Sequence, residues 1–316
     1  MTTKVSLADW ERLRSRDVAT NGITLRVFEL GEQRPGTPPV VLCHGFPELA
    51  FSWRHQLFAL AEAGYRVLVP DMRGYGGSSR PQDPESYDVL HLCGDLAGLL
   101  DDVGANDAVF VGHDWGANVV WHMAGLHPER VRAVAGLSVP ATPRSPVAPL
   151  PVLRSRLGDD FYMLWFQEPG VADLALARDT RRTLVAREIY SAEWADRDEA
   201  ETPAPPWLDE DELAYYVKTF EETGFTGGLN YYRNMDRNWA LTPELADRPI
   251  AQPSLFLTGS RDPVAMFLPT DQLGDVLTDL REHVVVDGAG HWIQQERPEE
   301  VNAALLRFLG SLGLDR

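Results

Sequence analysis

The chain has 316 residues, enough for one large α/β unit or two small domains, and its 44% apolar content is ample for a core. Against 29 basic side chains stand 47 acidic ones, a formal net charge of −18, so nucleic acid and anionic membrane surfaces are excluded as natural partners by repulsion. Residues 1–17 mix charged and apolar side chains and read as neither signal peptide nor anchor, and no segment approaches the length needed to span a bilayer. The two cysteines, Cys43 and Cys93, are too few for a disulfide framework, which makes a reduced, cytoplasmic setting the expectation.

In chain order, Asn21-Gly22 between β-prone runs at 18–20 and 23–30 signals a tight hairpin. Residues 39–43 read as a fully buried strand, 52–63 as a helix closed by Gly64, and 65–70 as a second buried strand ahead of a glycine-rich turn at 73–78. A helix over 90–103, a strand at 108–112, a helix over 117–126 and a strand at 131–138 follow. This alternation implies a mostly parallel sheet with helices on both faces.

The alternation stops at Pro140, Pro143, Pro146, Pro149 and Pro151, a spacing incompatible with a continuous helix or a central strand. Residues 141–247 read as mainly helical and aromatic, broken by an acidic, proline-rich loop at 196–211 that is expected to be solvated. Strands at 253–257 and 282–286 and a helix over 298–309 restore the pattern. The expected organisation is an α/β core of residues 1–140 and 248–316 with a helical cap, residues 141–247, inserted in it. Such a cap would lie over the carboxyl ends of the strands, where open α/β sheets bind ligands.

Gly112-His113-Asp114-Trp115-Gly116 joins a strand to a helix in the pattern of a nucleophile elbow, with Asp114 at the centre. A carboxylate needs no base to be nucleophilic at neutral pH; it would attack an electrophilic alkyl carbon and form an ester with it. The elbow also demands an acid and then a histidine further along the chain. Asp262, in Gly259-Ser260-Arg261-Asp262-Pro263, and His291, in Gly288-Ala289-Gly290-His291-Trp292, each follow a strand and meet that demand. Asp262 would orient the imidazole, and His291 would activate the water that hydrolyses the ester. The competing positions are weaker: His283 lies at the amino end of its strand, Asp287 is too close to His291 in sequence, and Val139-Pro140-Ala141 offers no carboxylate. Backbone N–H groups of Phe46, in His44-Gly45-Phe46-Pro47, and of Trp115 are the expected oxyanion donors.

With these stretches in view, the chain resembles the epoxide hydrolase family of the α/β-hydrolase fold, and in particular its bacterial soluble type. The resemblance is carried by His44-Gly45-Phe46-Pro47-Glu48, residues 71–78, residues 112–117, Phe166-Gln167-Glu168-Pro169-Gly170, residues 230–239 and Gly290-His291-Trp292. It implies that two cap tyrosines, Tyr162 and Tyr232, donate hydrogen bonds to the oxygen of an epoxide, where opening the ring builds up negative charge. It also implies a cis bond at Phe46-Pro47. Met163 departs from the glutamine that some relatives carry. Trp165, Phe166, Tyr231 and Trp292 are the expected pocket walls.

The partners then expected are a small apolar epoxide and water, with no cofactor and no metal; a homodimer is left open. The spacing at 73–78 fits no phosphate loop, and no cysteine–histidine cluster suggests a metal site. Haloalkane dehalogenases share the elbow and are the alternative enzyme. A catalytically silent relative used for binding is the alternative from another class, although such proteins usually lose a member of the triad.

Overall fold

A computed structural model of the chain describes residues 5–186, 191–196, 203–268 and 270–314. Its frame is one eight-stranded sheet: β1 (Arg14–Thr20), β2 (Ile23–Leu30), β3 (Val40–Cys43), β4 (Val67–Pro70), β5 (Ala108–His113), β6 (Val131–Leu137), β7 (Ser254–Gly259) and β8 (Leu280–Val286). The strands run in the order β1-β2-β4-β3-β5-β6-β7-β8. β1 and β2 pair antiparallel through the Asn21-Gly22 turn, β2 meets β4 antiparallel, and every later pairing is parallel. β3, β4, β5 and β7 are buried along their whole length, as parallel strands covered on both faces must be.

The order reverses at β3. The chain leaves β3 on one side through the helix Arg54–Glu62 to reach β4, and returns on the other through Val89–Asp102 to β5. A crevice opens at such a reversal, beyond the carboxyl ends of the strands. The register makes those ends flush: Cys43 lies opposite Gly112, His113 opposite Leu137, Leu137 opposite Leu257, and Gly259 opposite Val286. The loops that follow β3, β5, β6, β7 and β8 therefore share one rim.

Between β6 and β7 the described residues form helices and turns, with eight α-helices from Pro149–Leu157 to Met235–Leu241. The proline-punctuated stretch ends sooner than its spacing suggests, because a helix starts at Pro149 and takes Pro151 into its first turn. Proline is tolerated there, since first-turn N–H groups have no intrahelical partner. The acidic loop likewise ends in structure: Asp209 caps Glu210–Thr223 through a reciprocal pair with Glu212. Residues 197–202 of that loop lie outside the described residues.

These helices are pinned to the sheet layer by polar contacts. Arg54 Nε donates to Glu212 Oε1 (2.9 Å) with both side chains fully buried, and Asn238 Oδ1 accepts from the Val89 N–H (2.8 Å). Among the described residues, no helix is long and apolar enough to cross a membrane.

Candidate active site

Asp114 sits at φ 52°, ψ −120°, outside the regions an ordinary side chain prefers, at the turn from β5 into the helix Trp115–Leu126. The turn can be this sharp only because its neighbours lack side chains. A Cβ on Gly116 would run into the Cys43 carbonyl, and one on Gly45 into the Asp114 carboxylate itself. The Asp114 side chain is thereby raised clear of the sheet. Its Oδ1 accepts the Phe46 N–H at 2.8 Å, and its Oδ2 lies 3.4 Å from His291 Nε2.

On the other edge of the imidazole, His291 Nδ1 lies 3.1 and 3.2 Å from the two oxygens of Asp262. Asp262 is 4% exposed and also accepts the Val264 N–H (2.9 Å). Burial alone would push its carboxyl upward; the charge of His291, the hydrogen bond to it and the Val264 amide outweigh burial and hold it below the usual carboxylate range. For His291 burial favours the neutral ring, but Asp262 and Asp114 together raise its pKa well above the ordinary histidine value. The two carboxylates that flank the imidazole therefore favour its protonated form.

Above Asp114 stand the two cap tyrosines. Tyr162 opens the helix Tyr162–Trp165 and Tyr232 lies near the end of Thr226–Arg233; their rings are 5.9 Å apart. One side chain ties the two segments together, since the Gln167 amide donates to the carbonyls of Met163 (2.6 Å) and Tyr232 (3.1 Å). Tyr232 packs edge-on against Phe46, Trp115 and Phe166. Burial, then the Asp114 charge, raises its phenol well above the ordinary tyrosine value. Both effects favour the neutral phenol.

Two lobes of a cavity, of about 520 and 780 Å³, meet at Asp114, Tyr162, Tyr232, Val264 and Phe267. Trp115 lines the first, and Phe46, His291 and Trp292 the second. Three of the expected wall residues do not line either lobe. Phe166 is fully buried behind Tyr162 and Tyr232, Trp165 packs on Phe166, and Tyr231 turns away to donate from its hydroxyl to the Arg73 carbonyl (2.9 Å). Aromatic character alone does not say which side of a cap helix faces the cavity. The Phe46-Pro47 bond is cis. Among the described residues, no group of histidine, cysteine and carboxylate side chains is arranged to hold a metal ion.

Residues 38–298 match the alpha/beta hydrolase fold family. The chain is 54% identical to Epoxide hydrolase A of Mycobacterium tuberculosis, across 95% of this chain and 98% of that one. It belongs to the epoxide hydrolase family of the α/β-hydrolase fold. Within that family it is also 39% identical to Epoxide hydrolase 1 of Siraitia grosvenorii, over 95% of this chain and 99% of that one. The crystal structure of Epoxide Hydrolase A from Mycobacterium thermoresistibile superposes with a TM-score of 0.90 at 52% identity, covering 96% of this chain and 100% of that one.

The geometry adds residues that motif reading does not supply for a family member. The His291 carbonyl accepts from Ser138 Oγ (2.7 Å) and lies 2.7 Å from His113 Nε2, whose Nδ1 faces Glu48 at 2.7 Å. Glu48 is almost wholly buried and also accepts from the Gln294 and Gln295 amides; Gln295 in turn accepts from Arg54. Glu296 clamps the backbone on both sides of the histidine, accepting the N–H of Gly290 (2.7 Å) and of Trp292 (3.1 Å). These contacts reach His291 through its main chain, so no motif chemistry announces them.

A direct consequence concerns Glu296. Replacing it by Gln removes one charge-assisted acceptor from the loop and is expected to lower kcat about tenfold, with KM falling in step so that kcat/KM is preserved. Pre-steady-state traces should place the loss in ester hydrolysis, with ester formation preserved; equal loss in both steps would argue against a positioning role.

Proposed function

We propose that the protein opens epoxides to vicinal diols in two covalent steps, with the cap of residues 141–247 closing the site over the core of residues 1–140 and 248–316. The observation that carries this reading is Asp114 at the elbow, in reach of His291 on one side and roofed by Tyr162 and Tyr232. Asp114 Oδ2 attacks an epoxide carbon, the carbon–oxygen bond of the ring breaks, and the ring oxygen takes a proton from a tyrosine hydroxyl. Oδ1, already on the Phe46 N–H, becomes the carbonyl oxygen of the ester.

Forming the ester removes the negative charge of Asp114, which is one of the causes that keep His291 protonated. The imidazole then gives up its proton, which restores the phenol that protonated the ring oxygen, and becomes a base only when one is needed. It takes a proton from water as the water oxygen adds to the Asp114 carbonyl carbon. The resulting oxyanion is stabilised by the N–H groups of Phe46 and Trp115. Collapse expels the diol, whose leaving oxygen takes the hydroxyl proton of the tetrahedral intermediate, and regenerates ionised Asp114 beside a protonated His291.

This sequence predicts an isotope result. A single turnover in heavy-oxygen water should give an unlabelled diol and put the label on Asp114, because the new hydroxyl oxygen comes from the carboxylate. A labelled diol with unlabelled Asp114 would mean direct attack by water. Halide release from chloroalkanes, measured alongside, tests the dehalogenase alternative.

The pH dependence has a definite sign. Hydrolysis needs neutral His291, so where hydrolysis limits turnover kcat should rise with pH through the histidine pKa of the ester and then level off. Alkylation needs protonated phenols, and burial together with the Asp114 charge holds the Tyr232 phenol well above the ordinary tyrosine value. Stopped-flow alkylation rates should therefore hold through the ordinary tyrosine range; a fall beginning below it would contradict the assignment.

We also infer a cytoplasmic setting, supported by two cysteines that are both free and buried.

A further inference from the structure

Ser138 directly follows β6 and is held in a backbone shape that serine rarely takes. Its φ is 68°, and the Val139 N–H reaches back to the Leu137 carbonyl (2.8 Å), which closes a three-residue turn of the strained, positive-φ kind. The Leu137 carbonyl also accepts the Asp114 N–H (3.3 Å), and the Ser138 N–H donates to the Leu257 carbonyl of β7 (2.8 Å). The turn is thereby locked between the nucleophile and the neighbouring strand. Glycine would meet the positive φ without steric cost, yet a serine stands there, 2% exposed. The backbone gives no reason for its hydroxyl.

The triad does. Ser138 Oγ donates to the His291 carbonyl (2.7 Å), an oxygen that also lies 2.7 Å from His113 Nε2 and so keeps a second partner. The Asp262 carboxylate is within reach of the same hydroxyl, and that contact helps to hold Asp262 below the usual carboxylate range. A hydroxyl carries one proton, so it serves one of these two acceptors at a time. Either way the positive end of the O–H dipole points at the histidine loop or at the counter-charge of the histidine. Both orientations disfavour the imidazolium. The ionisable groups against the His291 loop are Asp114 and His113 at the end of β5, Asp262 after β7, and Glu296 in the short helix Ile293–Glu296. The carboxylates among them favour the cation, and Ser138 works against them.

We propose that Ser138 is a positioning residue for ester hydrolysis, its hydroxyl shared between the His291 carbonyl and the Asp262 carboxylate. When alkylation of Asp114 lets His291 lose its proton, Asp262 loses the cation it faced and becomes the better acceptor. The hydroxyl turns toward it and offsets part of its charge, so that more of the ester holds a free base at neutral pH. No proton leaves the serine. The inference rests on the two-step reading for the step it serves, whereas the effect of the hydroxyl on the resting imidazole does not.

Two variants separate the hydroxyl from the backbone. Ser138→Gly removes the hydroxyl and relieves the turn; Ser138→Ala removes the hydroxyl and keeps the strain. In both, the rise of the single-turnover hydrolysis rate with pH should move upward by about one pH unit, the worth of one ordinary hydrogen bond, whatever the difference between their melting temperatures. Hydrolysis below that rise should then be about tenfold slower, with alkylation little changed. A second measurement needs no epoxide: nitrogen-15 NMR of the His291 imidazole, assigned against His291→Gln, should show its titration displaced upward in the resting Ser138→Gly protein.

A pH profile and an imidazole titration that match the wild type or move downward in Ser138→Gly overturn the proposal. So does a displacement confined to Ser138→Ala, which would assign the effect to the turn. A displaced titration in a protein that makes no diol from any epoxide would leave the role of Ser138 at the histidine standing and remove the epoxide reading instead.

Discussion

His291→Gln is expected to stop the enzyme after one event and to leave it heavier by the mass of one epoxide. Asp114 needs no base for its attack, so the ester should still form, more slowly because the cation facing its Oδ2 at 3.4 Å has gone. Hydrolysis loses its base outright. General-base catalysis contributes roughly 10²–10⁴-fold, so steady-state diol formation should fall by about that factor while the adduct accumulates. Intact-mass analysis should show the adduct and peptide mapping should place it on Asp114. Lost turnover with no adduct, or an adduct on another residue, would sink the two-step scheme. Asp262→Asn provides the graded comparison: the imidazole stays but loses the carboxylate that orients it, so the adduct should appear and decay slowly.

The core and the triad were legible in the sequence for one reason: every member follows a strand. Asp114 after β5, Asp262 after β7 and His291 after β8 are placed by backbone connection, and the alternation of strands and helices is visible in the hydrophobic pattern. The flush register of the strand ends does the rest, bringing residues far apart in sequence to one rim. The cap offers no such rule. Its helices are short, several of four to seven residues, and which side each one turns to the cavity depends on packing against the others. Tyr231 and Tyr232 make the point: adjacent and both buried, one bonds the Arg73 carbonyl and the other lines the cavity beside Asp114.

Glu296 and Ser138 were illegible for a different reason. They act on main-chain atoms of the His291 loop, and a carboxylate or hydroxyl that holds an amide or carbonyl looks in sequence like any other polar residue. The buried chain Glu212–Arg54–Gln295–Glu48–His113 is similar. Each of its members is ordinary by type, and it emerges only when a cap helix and the loop after β3 are seen in contact. Motifs report the groups that react with substrate, whereas the groups that hold them still must be read from coordinates.

The second large effect should come from the cap. If both phenols serve the same oxygen, losing either leaves a donor in place, and losing both leaves an alkoxide forming without either donor. Tyr162→Phe and Tyr232→Phe should each slow alkylation about tenfold, and the pair by roughly 10³-fold or more. A double loss larger than the product of the single ones is the signature of a shared oxygen. Stopped-flow fluorescence of the Trp115 region reads alkylation directly, and hydrolysis of preformed ester should change little, since that step belongs to His291. Alkylation within tenfold of the wild type in the double variant would take the tyrosines out of the chemistry. Gln167→Leu extends the test. It touches neither phenol, but it cuts the bridge between the Met163 and Tyr232 carbonyls. If the spacing of the two hydroxyls is what the bridge maintains, this variant should share the alkylation defect in milder form and keep the alkaline pH limit of the wild type, because both proton donors are still present.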